Sequence, residues 1–584
     1  MRNFFKIFFA SFLALLIFTV VAIFILLAVV AGVATPDKPV VGSKAVLLLD
    51  LTKQYKEQEE DNPVNFITGN ADDNVPGLYD VVRMISFAKK DSAIKGIYIN
   101  CEDNANGFAA SEELRNAIID FKQSRKFVIA YGDVISQKAY YVANAADKVY
   151  CNPQGSMEWK GMSSTIMFLK GTLEKLEIEP QIFYAGKFKS ATEPLRAYQM
   201  SEPSKLQTSV YIGDLYSRML VAAAAKSGLD TAQLHALANT GAIQTASQAV
   251  ANHLIDAVKY DDEVKDEIIA HTKSDPTAKI NFVSLGKYAK AADYKEGSGS
   301  KIAVIFAEGE ITDGKGKDDQ IGSDQFRNLI RKARLNKDIK AIVVRVNSPG
   351  GSALASEEIW REITIAKKVK PVVVSFGDVA ASGGYYISCN ADSIFAQPNT
   401  ITGSIGVFGI IPNMKKFFNN KLGITFDGVK TGPFADMPTA NRPLNDVEKV
   451  FVQNMIDTIY NTFKNRVAQG RKLSPTVVDS IAQGRVWTGQ RALQLGLVDR
   501  LGSINDAIAC AAGMAKLEKY TLKEYPEKKN FFEKVFNKYE NDVKERSIKE
   551  EIGIEQYILL KQIKNYRAMM NVPQARMPFE MSFR

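Results

Sequence analysis

The chain has 584 residues, of which 46% are hydrophobic and 24% are charged. These values exclude a wholly disordered or collagen-like chain, and the length predicts at least two domains. Lysine plus arginine number 74 and aspartate plus glutamate 65, and no basic run interleaved with aromatic residues indicates nucleic-acid binding. The four cysteines lack CxxC spacing, which argues against a zinc ribbon or a disulfide scaffold. We predict no metal and no cofactor.

The N-terminus carries an uncharged apolar run of 28 residues, from Ile7 to Ala34. As a helix it would be about 42 Å long, more than the roughly 30 Å hydrocarbon core of a bilayer. The alternative is a cleaved signal peptide, but the apolar region of such a peptide is typically only about 7–15 residues long. Arg2 and Lys6 precede the run, so the positive-inside rule keeps the N-terminus cytoplasmic. We predict a transmembrane anchor over residues 1–42 in the inner (cytoplasmic) membrane, with the body on the periplasmic side.

The rest of the chain contains an internal repeat of one unit in two copies. Residues 93–147 align without a gap to residues 338–392, with 17 identities in 55 positions. Two α/β domains follow, 43–290 and 301–515, because short β-branched runs such as KGIYIN and PVVVSFGD alternate with amphipathic helices. We expect Ser111 and Ser356 to cap the helices SEELRNAIIDFKQ and SEEIWREITIAKK. The remainder, 516–584, is predicted to be a charged, helical tail that forms a surface or oligomer contact or, alternatively, lies on a membrane.

The two copies differ where chemistry is expected. In the second copy one strand leads into NSPGGS and the next into VAASGGYY, whereas the first copy has EDNANG and VISQKAYY at these places. Glycines after a strand let backbone N–H groups approach a ligand closely. Ser382 would lie at a helix N-terminus, where free N–H groups and the helix dipole favour a developing anion. The second copy alone therefore carries a candidate nucleophile, although such a serine is more often only a cap.

The chain contains few histidines, and this limits which residue could act as the general base for a serine nucleophile. His235, His253 and His271 are the three histidines of the chain, and all lie in the first copy, far in sequence from these motifs. A Ser–His–Asp triad would need one of them, so lysine is the better candidate, since burial can deprotonate it. The first-copy segment GKFKSATEP offers Lys187 and Lys189. The first copy thus has a lysine without the serine, and the second has the serine without the lysine.

The motifs NSPGGS, GDVAASGGYYI and TGSIGVFG, with GKFKSATEP, together resemble the long, duplicated form of the signal peptide peptidase A family, also called protease IV. The resemblance covers the chain from the N-terminal anchor to about residue 515. It implies a crotonase/Clp-protease-like (ββα-type) fold in both domains, a homotetramer, and a serine endopeptidase that degrades apolar peptides such as cleaved signal peptides through an acyl-enzyme intermediate.

The resemblance also implies roles for individual residues. Ser382 corresponds to the nucleophile, Lys189 to the general base and Ser404 to the residue that orients the lysine. The oxyanion N–H donors correspond to Gly383 and Gly351, and Gly350 shapes the turn. Two other classes remain in view, an acyl-CoA hydratase or isomerase and a catalytically silent membrane scaffold; the first does not need the serine, and the second needs neither the serine nor the lysine.

Overall fold

The computed structural model describes residues 2–33, 39–59, 74–295, 297–527, 569–570 and 572–577. It begins with helix α1 (Arg2–Val33), whose described side chains, those of Phe4 and residues 6–22, are exposed. Within the described residues no helix is long and apolar enough to cross a membrane. The transmembrane anchor therefore stays a prediction.

The first copy forms an α/β domain around a parallel sheet. Its strands are β1 (Ala45–Asp50), β2 (Ile94–Asn100), β3 (Phe127–Ile135), β4 (Lys148–Met157), β5 (Glu179–Ala185), β6 (Ala257–Val258) and β7 (Phe282–Ser284). Its helices are α2 (Leu78–Ala88), α3 (Phe108–Lys122), α4 (Gln137–Ala143), α5 (Lys170–Lys175), α6 (Glu193–Arg196, after the 3₁₀ turn Ser190–Thr192), α7 (Glu202–Ser227), α8 (Thr231–Asn239), α9 (Ala246–Ala251), α10 (Asp261–Thr272) and α11 (Leu285–Ala291). All strands except β5 join the first sheet, in the order β6-β4-β3-β2-β1-β7.

The second copy repeats this plan. Its strands are β8 (Ser300–Glu308), β9 (Glu310–Thr312), β10 (Gln320–Gly322), β11 (Ile339–Ser348), β12 (Gly350–Ser352), β13 (Val372–Ala381), β14 (Ser393–Ala396), β15 (Ile401–Gly403), β16 (Val407–Asn413), β17 (Val486–Thr488), β18 (Arg500–Leu501) and β19 (Tyr520–Tyr525). Its helices are α12 (Ser323–Leu335), α13 (Ala353–Lys367), α14 (Gly383–Ser388), α15 (Asp446–Arg471, after the π-helical turn Phe417–Lys421), α16 (Pro475–Ile481), α17 (Gly489–Gln494) and α18 (Ile504–Met514). The second sheet has the order β17-β15-β13-β11-β8-β19; off this path, β14 pairs with β13 and β18 pairs with β14.

The predicted α/β alternation is confirmed, but two helix starts were wrong. Helices α3 and α13 are capped four residues earlier than expected, by Gly107 and Ser352 instead of Ser111 and Ser356. Ser111 and Ser356 lie in the first turn and donate to the carbonyl oxygens of Gly107 and Ser352, at 2.7 and 2.8 Å. Serine hydroxyls make this back-bond when they lie inside a helix rather than at its cap.

The repeat extends to side-chain networks. In the first copy the Tyr141 hydroxyl donates to Glu112, which also pairs with Arg218. The second copy repeats the arrangement with Tyr386, Glu357 and Arg466. Because tyrosine and arginine both donate to the carboxylate in each copy, α3 and α13 are tied to the rest of their domains in the same way.

A third sheet, the shared sheet, combines strands from both copies. Its order is β10-β9-β12-β20-β16-β5, where β20 is Gln574–Arg576. Strand β5 of the first copy pairs antiparallel with β16 of the second over seven residue pairs. Phe183 and Ala185 of β5 are buried in the core of the second copy. The two domains are therefore joined by hydrogen bonds of one sheet and by a common core.

Buried polar contacts also connect the two domains. Arg345 of β11 is 1% exposed and pairs with Glu57 and Glu113 of the first copy, each at 2.8 Å. The Asp378 carboxylate accepts from the backbone N–H groups of Ala109 and Ala110, at 2.8 and 3.0 Å, and so caps α3 of the other copy. Removing one member of such a buried charge cluster typically costs about 3–5 kcal/mol, so the cluster makes the relative placement of the domains specific.

The C-terminal segment differs from its prediction. Residues 520–525, expected in a charged helical tail, form β19 and pair parallel with β8 over six residue pairs. In YTLKEY apolar and polar residues alternate only from Tyr520 to Lys523, a pattern too short to indicate a strand beside the lysine-rich sequence that follows. Beyond residue 527 the predicted helical tail lies outside the described residues, apart from residues 569–570 and 572–577. Further along, β20 enters the shared sheet.

Candidate active site

Ser382 lies on a strained turn between β13 and α14. It has φ of 53° and ψ of −111°, a left-handed φ that costs a non-glycine residue of the order of 1–3 kcal/mol. Its N–H donates to the Gly403 carbonyl at 2.8 Å, and its carbonyl accepts from the Tyr386 N–H at 2.7 Å. These bonds on both sides hold the turn, and the side chain is fully buried. The predicted position of Ser382 at a helix N-terminus is confirmed.

Lys189 reaches this serine from the other copy. It follows β5 by four residues and is 1% exposed. Its Nζ lies 2.9 Å from Ser382 Oγ, 3.0 Å from the Ser404 carbonyl oxygen and 3.0 Å from Ser404 Oγ. The β5–β16 pairing brings them together, because Lys189 follows β5 and Ser404 precedes β16 at the same end of the antiparallel pair. The three residues meet within one chain.

The Lys189 amine is favoured in its neutral form. Burial lowers the pKa of Lys189 well below its usual range, because a charged amine loses its hydration there. Within the described residues the amine contacts hydroxyl and carbonyl oxygens and forms no ion pair with a carboxylate that could compensate an ammonium charge. A neutral amine has two N–H groups and one lone pair. The two oxygens of Ser404 accept the N–H groups, which leaves the lone pair for the Ser382 hydroxyl proton.

Two glycines close around the lysine stem, and sequence reasoning missed one of them. A Cβ placed on Gly484 would lie 2.7 Å from Lys189 Cβ, and one on Gly406 would lie 3.1 Å from Lys189 Cδ. Gly484 also has a positive φ of 71°. The sequence around it, AQGRVWTG, offers no motif that would have marked this glycine as part of the site. Side chains at these positions would push the amine away from Ser382.

The three predicted glycines lie on β12 and in the first turn of α14, directly after Ser382. Gly350 has φ of 97°, and a Cβ there would lie 2.6 Å from the Gly383 nitrogen. A Cβ on Gly351 would lie 2.0 Å from the Ile311 carbonyl oxygen of β9. Larger residues are therefore excluded at both positions of β12. The backbone of β12 approaches the first turn of α14 closely, as a site for a developing oxyanion requires.

The competing residues lie elsewhere. Lys187 is exposed, and its backbone N–H rather than its amine contacts Gln483 Oε1, at 3.3 Å. His235 contacts Tyr216, and His271 stacks on Phe127. In the first copy, Gln137 takes the place of Ser382 and donates to the Gly161 carbonyl at 2.9 Å. The corresponding turn of the first copy is thus occupied by a structural amide.

The described residues offer no evident metal site. Among the described residues, no cluster of three or more histidine, cysteine, aspartate or glutamate side chains could hold a metal ion. The four cysteines are free thiols. The polar groups available at Ser382 are hydroxyls, backbone groups and one amine, a set suited to acyl transfer.

An α/β fold with a serine on a strained strand-to-helix turn, beside a buried lysine, is the arrangement expected of a serine peptidase. The sequence profile described as Peptidase family S49 matches the chain twice, over residues 120–274 and 364–518. These two matches cover more than half of the chain. The chain therefore belongs to Peptidase family S49, as a serine peptidase with the family domain duplicated.

Relatives support the same conclusion over most of the chain. Protease 4 of Salmonella typhi is 36% identical over 477 residues, 80% of this chain and 76% of the relative. Protease 4 of Haemophilus influenzae is 36% identical over 443 residues, 74% of this chain and 72% of the relative. The chloroplastic serine protease SPPA of Arabidopsis thaliana is 33% identical over 448 residues, 75% of this chain and 66% of the relative. The predicted resemblance to the long, duplicated signal peptide peptidase A form is confirmed.

Solved structures give weaker matches. A ClpP1 mutant from Listeria monocytogenes is 15% identical with a TM-score of 0.24, covering 35% of this chain and 94% of that one. The 1510-N membrane-bound stomatin-specific protease is 18% identical with a TM-score of 0.26, covering 40% of this chain and 100% of that one. These scores are too low to carry an argument, so the fold rests on the sheets described above.

Proposed function

We propose that this protein is a membrane-anchored serine endopeptidase that degrades apolar peptides, such as cleaved signal peptides, with Ser382 as nucleophile and Lys189 as general base. The observation that carries the proposal is the 2.9 Å separation of Lys189 Nζ and Ser382 Oγ, with Lys189 1% exposed and Ser382 fully buried. A neutral buried amine can accept the hydroxyl proton at physiological pH, which an exposed lysine cannot do.

Acylation follows from the contacts of these groups. Lys189 Nζ takes the proton of Ser382 as Oγ attacks the peptide carbonyl carbon. The N–H groups of Gly383 and Gly351 stabilise the negative charge that develops on the carbonyl oxygen, and Gly350 keeps the turn open for them. The protonated amine then gives its proton to the leaving nitrogen, and the acyl group remains on Ser382 as an ester.

Deacylation uses the same base. Lys189 is neutral again once the amine product has left, and it takes a proton from a water molecule that attacks the ester. Ser404 holds the amine through both steps, because its carbonyl oxygen and Oγ accept the two N–H groups of Nζ. The lone pair therefore stays directed at the reacting oxygen, and the role of Ser404 is to position the base.

We further propose that the N-terminal segment, residues 1–42, anchors the body to the inner membrane, with the N-terminus cytoplasmic and the catalytic domains periplasmic. The proposal is supported by the uncharged sequence from Ile7 to Ala34 and by Arg2 and Lys6 before it. Fractionation of cells should recover the full-length chain in detergent-soluble membranes, and external protease should digest it in spheroplasts. Recovery in the soluble fraction after lysis would contradict the anchor.

A homotetramer is proposed on the resemblance and on an exposed apolar face of α15. The face consists of Val447, Val450, Phe451 and Met455, which are all exposed. Their spacing places them on one side of the helix, where a second copy could cover them. Light scattering of the detergent-solubilised chain should give a tetramer, and Phe451→Lys should dissociate it. A wild-type monomer at micromolar concentration would contradict this assembly.

Covalent labelling tests the central assignment. A fluorophosphonate probe should label the wild-type chain at Ser382, and Ser382→Ala should lose both labelling and hydrolysis of an apolar peptide ester. The matched control is Ser388→Ala, a buried serine of the same helix that donates to the Gly384 carbonyl at 2.7 Å and should keep both. Hydrolysis by Ser382→Ala at the wild-type rate would refute the assignment.

A further inference from the structure

The C-terminal strand β20 lies in the cleft beside Ser382. It is inserted between β12 and β16 and runs antiparallel to both. Along β12, Arg576 is opposite Gly350, Ala575 opposite Gly351 and Gln574 opposite Ser352. An extended peptide that adds to a sheet edge in this way presents its backbone to the protein as a substrate strand does.

The carbonyl of Ala575 lies where the oxyanion is proposed to form. The N–H of Met577 donates to the Pro349 carbonyl at 2.7 Å, and the N–H of Ala353 donates to the Pro573 carbonyl at 3.2 Å. Antiparallel alternation then sets the N–H of Gly351 opposite the Ala575 oxygen.

The oxygen is also close to the first turn of α14. A Cβ placed on Gly383 would lie 3.0 Å from the Ala575 oxygen, and one placed on Gly350 would lie 2.1 Å from it. Both glycines are those proposed above for the oxyanion site, so the Ala575 carbonyl is held between the groups that would stabilise its attack.

The side chains of the strand are bound specifically. Ala575 is fully buried, so the position before this carbonyl accepts a small residue. Arg576 is 7% exposed, and its Nη1 donates to Glu310 Oε1 of β9 at 2.5 Å. Met577 is buried in an apolar cluster that includes Leu215 of α7 and Val486 of β17. A basic residue directly after the small one is therefore matched by a carboxylate.

We propose that the Ala575–Arg576 peptide bond is a self-cleavage site of this enzyme, and that Glu310 selects a basic residue on the leaving side of the bond. This inference rests on the proposed function and names a substrate of that same site. Beside the apolar peptides proposed above, it adds one further substrate: an extended strand in which a small residue is followed by lysine or arginine.

The reaction balances as a hydrolysis. Ser382 Oγ bonds to the Ala575 carbonyl carbon and gives its proton to Lys189. The carbon–nitrogen bond to Arg576 breaks, and the Arg576 nitrogen leaves as an amine after taking that proton. Water then cleaves the ester, so the products are residues 1–575 with a new carboxylate and the peptide 576–584 with a new amine.

Intact mass spectrometry tests the proposal. The full-length chain, purified in detergent, should lose residues 576–584 with time, whereas Ser382→Ala should keep them. Because strand and serine belong to one chain, the rate should not change over a tenfold dilution. Glu310→Gln should slow the cleavage roughly tenfold through loss of the charged partner. Its matched control, Glu358→Gln, removes a carboxylate that pairs with Arg327 at 3.2 Å and should leave the rate unchanged.

Failure of this inference is distinguishable from failure of the proposed function. A wild-type chain that reacts with the fluorophosphonate and cuts an added peptide, yet keeps residues 576–584, would overturn self-cleavage and leave the peptidase assignment intact. Cleavage that is equally fast in Glu310→Gln would overturn the role of Glu310. A chain that neither reacts with the probe nor cuts any peptide removes both proposals.

Discussion

Lys189 and Ser382 are 193 positions apart, yet Lys189 Nζ lies 2.9 Å from Ser382 Oγ. The two atoms are close because β5, a strand of the first copy, pairs with β16 of the second copy. Neither domain contains both groups, so the chemistry belongs to the joint between the copies. Substitutions at Lys189, Ser404 and Gly350 probe this contact between the domains and the protonation state of the Lys189 amine.

Lys189→Ala should lower kcat/KM for an apolar peptide ester by about 10²–10⁴-fold, the usual contribution of a general base. Lys187→Ala is the matched control two residues away; its side chain is exposed, and its rate should stay close to wild type. Steady-state hydrolysis of both variants decides between them. Loss of activity in Lys187→Ala with retention in Lys189→Ala would transfer the role of base to Lys187.

Lys189→Met should stabilise the folded chain near neutral pH. The folded pKa of Lys189 is lowered, so between that pKa and the unfolded value of about 10.4 the unfolded chain binds one proton more. Wild-type stability therefore rises with pH through this window, by about 1.4 kcal/mol per pH unit.

The advantage of the methionine should accordingly shrink as the pH rises towards 10. Urea unfolding at several pH values measures it, with Lys187→Met as a control that should show no such trend. A difference in unfolding free energy that does not change with pH would mean that the Lys189 pKa is not lowered on folding.

Ser404→Ala should lower kcat about tenfold, since the amine loses one of its two oriented acceptors while keeping the Ser404 carbonyl. The ammonium form loses an acceptor as well, so the acid limb of the kcat/KM profile should move to lower pH. Thr402→Val removes a hydroxyl that donates to the Ala380 carbonyl at 2.7 Å instead, and its pH profile should match wild type. An unshifted limb in Ser404→Ala would reduce Ser404 to a packing residue.

Gly350→Ala should abolish activity, whereas Gly228→Ala should not. Both glycines have positive φ, 97° and 74°, so both variants carry a backbone strain of about 1–2 kcal/mol. Only at Gly350 does the new Cβ meet a close neighbour, 2.6 Å from the Gly383 nitrogen; at Gly228 nothing lies within 4 Å. Thermal unfolding and peptide hydrolysis together separate strain from damage to the site.

The repeat and the residues around Ser382 could be predicted from the sequence, because each is marked by a local motif. Ser382 was marked by the glycines after it and by its absence from the first copy, where Gln137 stands. The choice of Lys189 over Lys187 came from the resemblance alone. The structure gives it a physical reason: the residue after Phe188 points inward, and Lys187 stays in solvent.

Long-range pairings left no such signal. The shared sheet joins segments from both copies and from the C-terminus, and the partner of an edge strand cannot be read from its own period. Nothing in the sequence distinguishes Arg345, Glu57 and Glu113 from exposed charged residues. Their burial and their ion pairs depend on the packing of the two domains. Strand β20 could not be predicted either, because its three residues, flanked by a proline and a methionine, are too few to show the alternation of a strand.

The pairing of β5 with β16 also has a consequence for biosynthesis. A ribosome releases the first domain, with its lysine, long before the serine has been translated. In the proposed mechanism the base and the nucleophile come together only after residues 407–413 have paired with residues 179–185, so a chain that stops before β16 should lack peptidase activity. Pairing of these two strands would then be the folding step that makes the enzyme active.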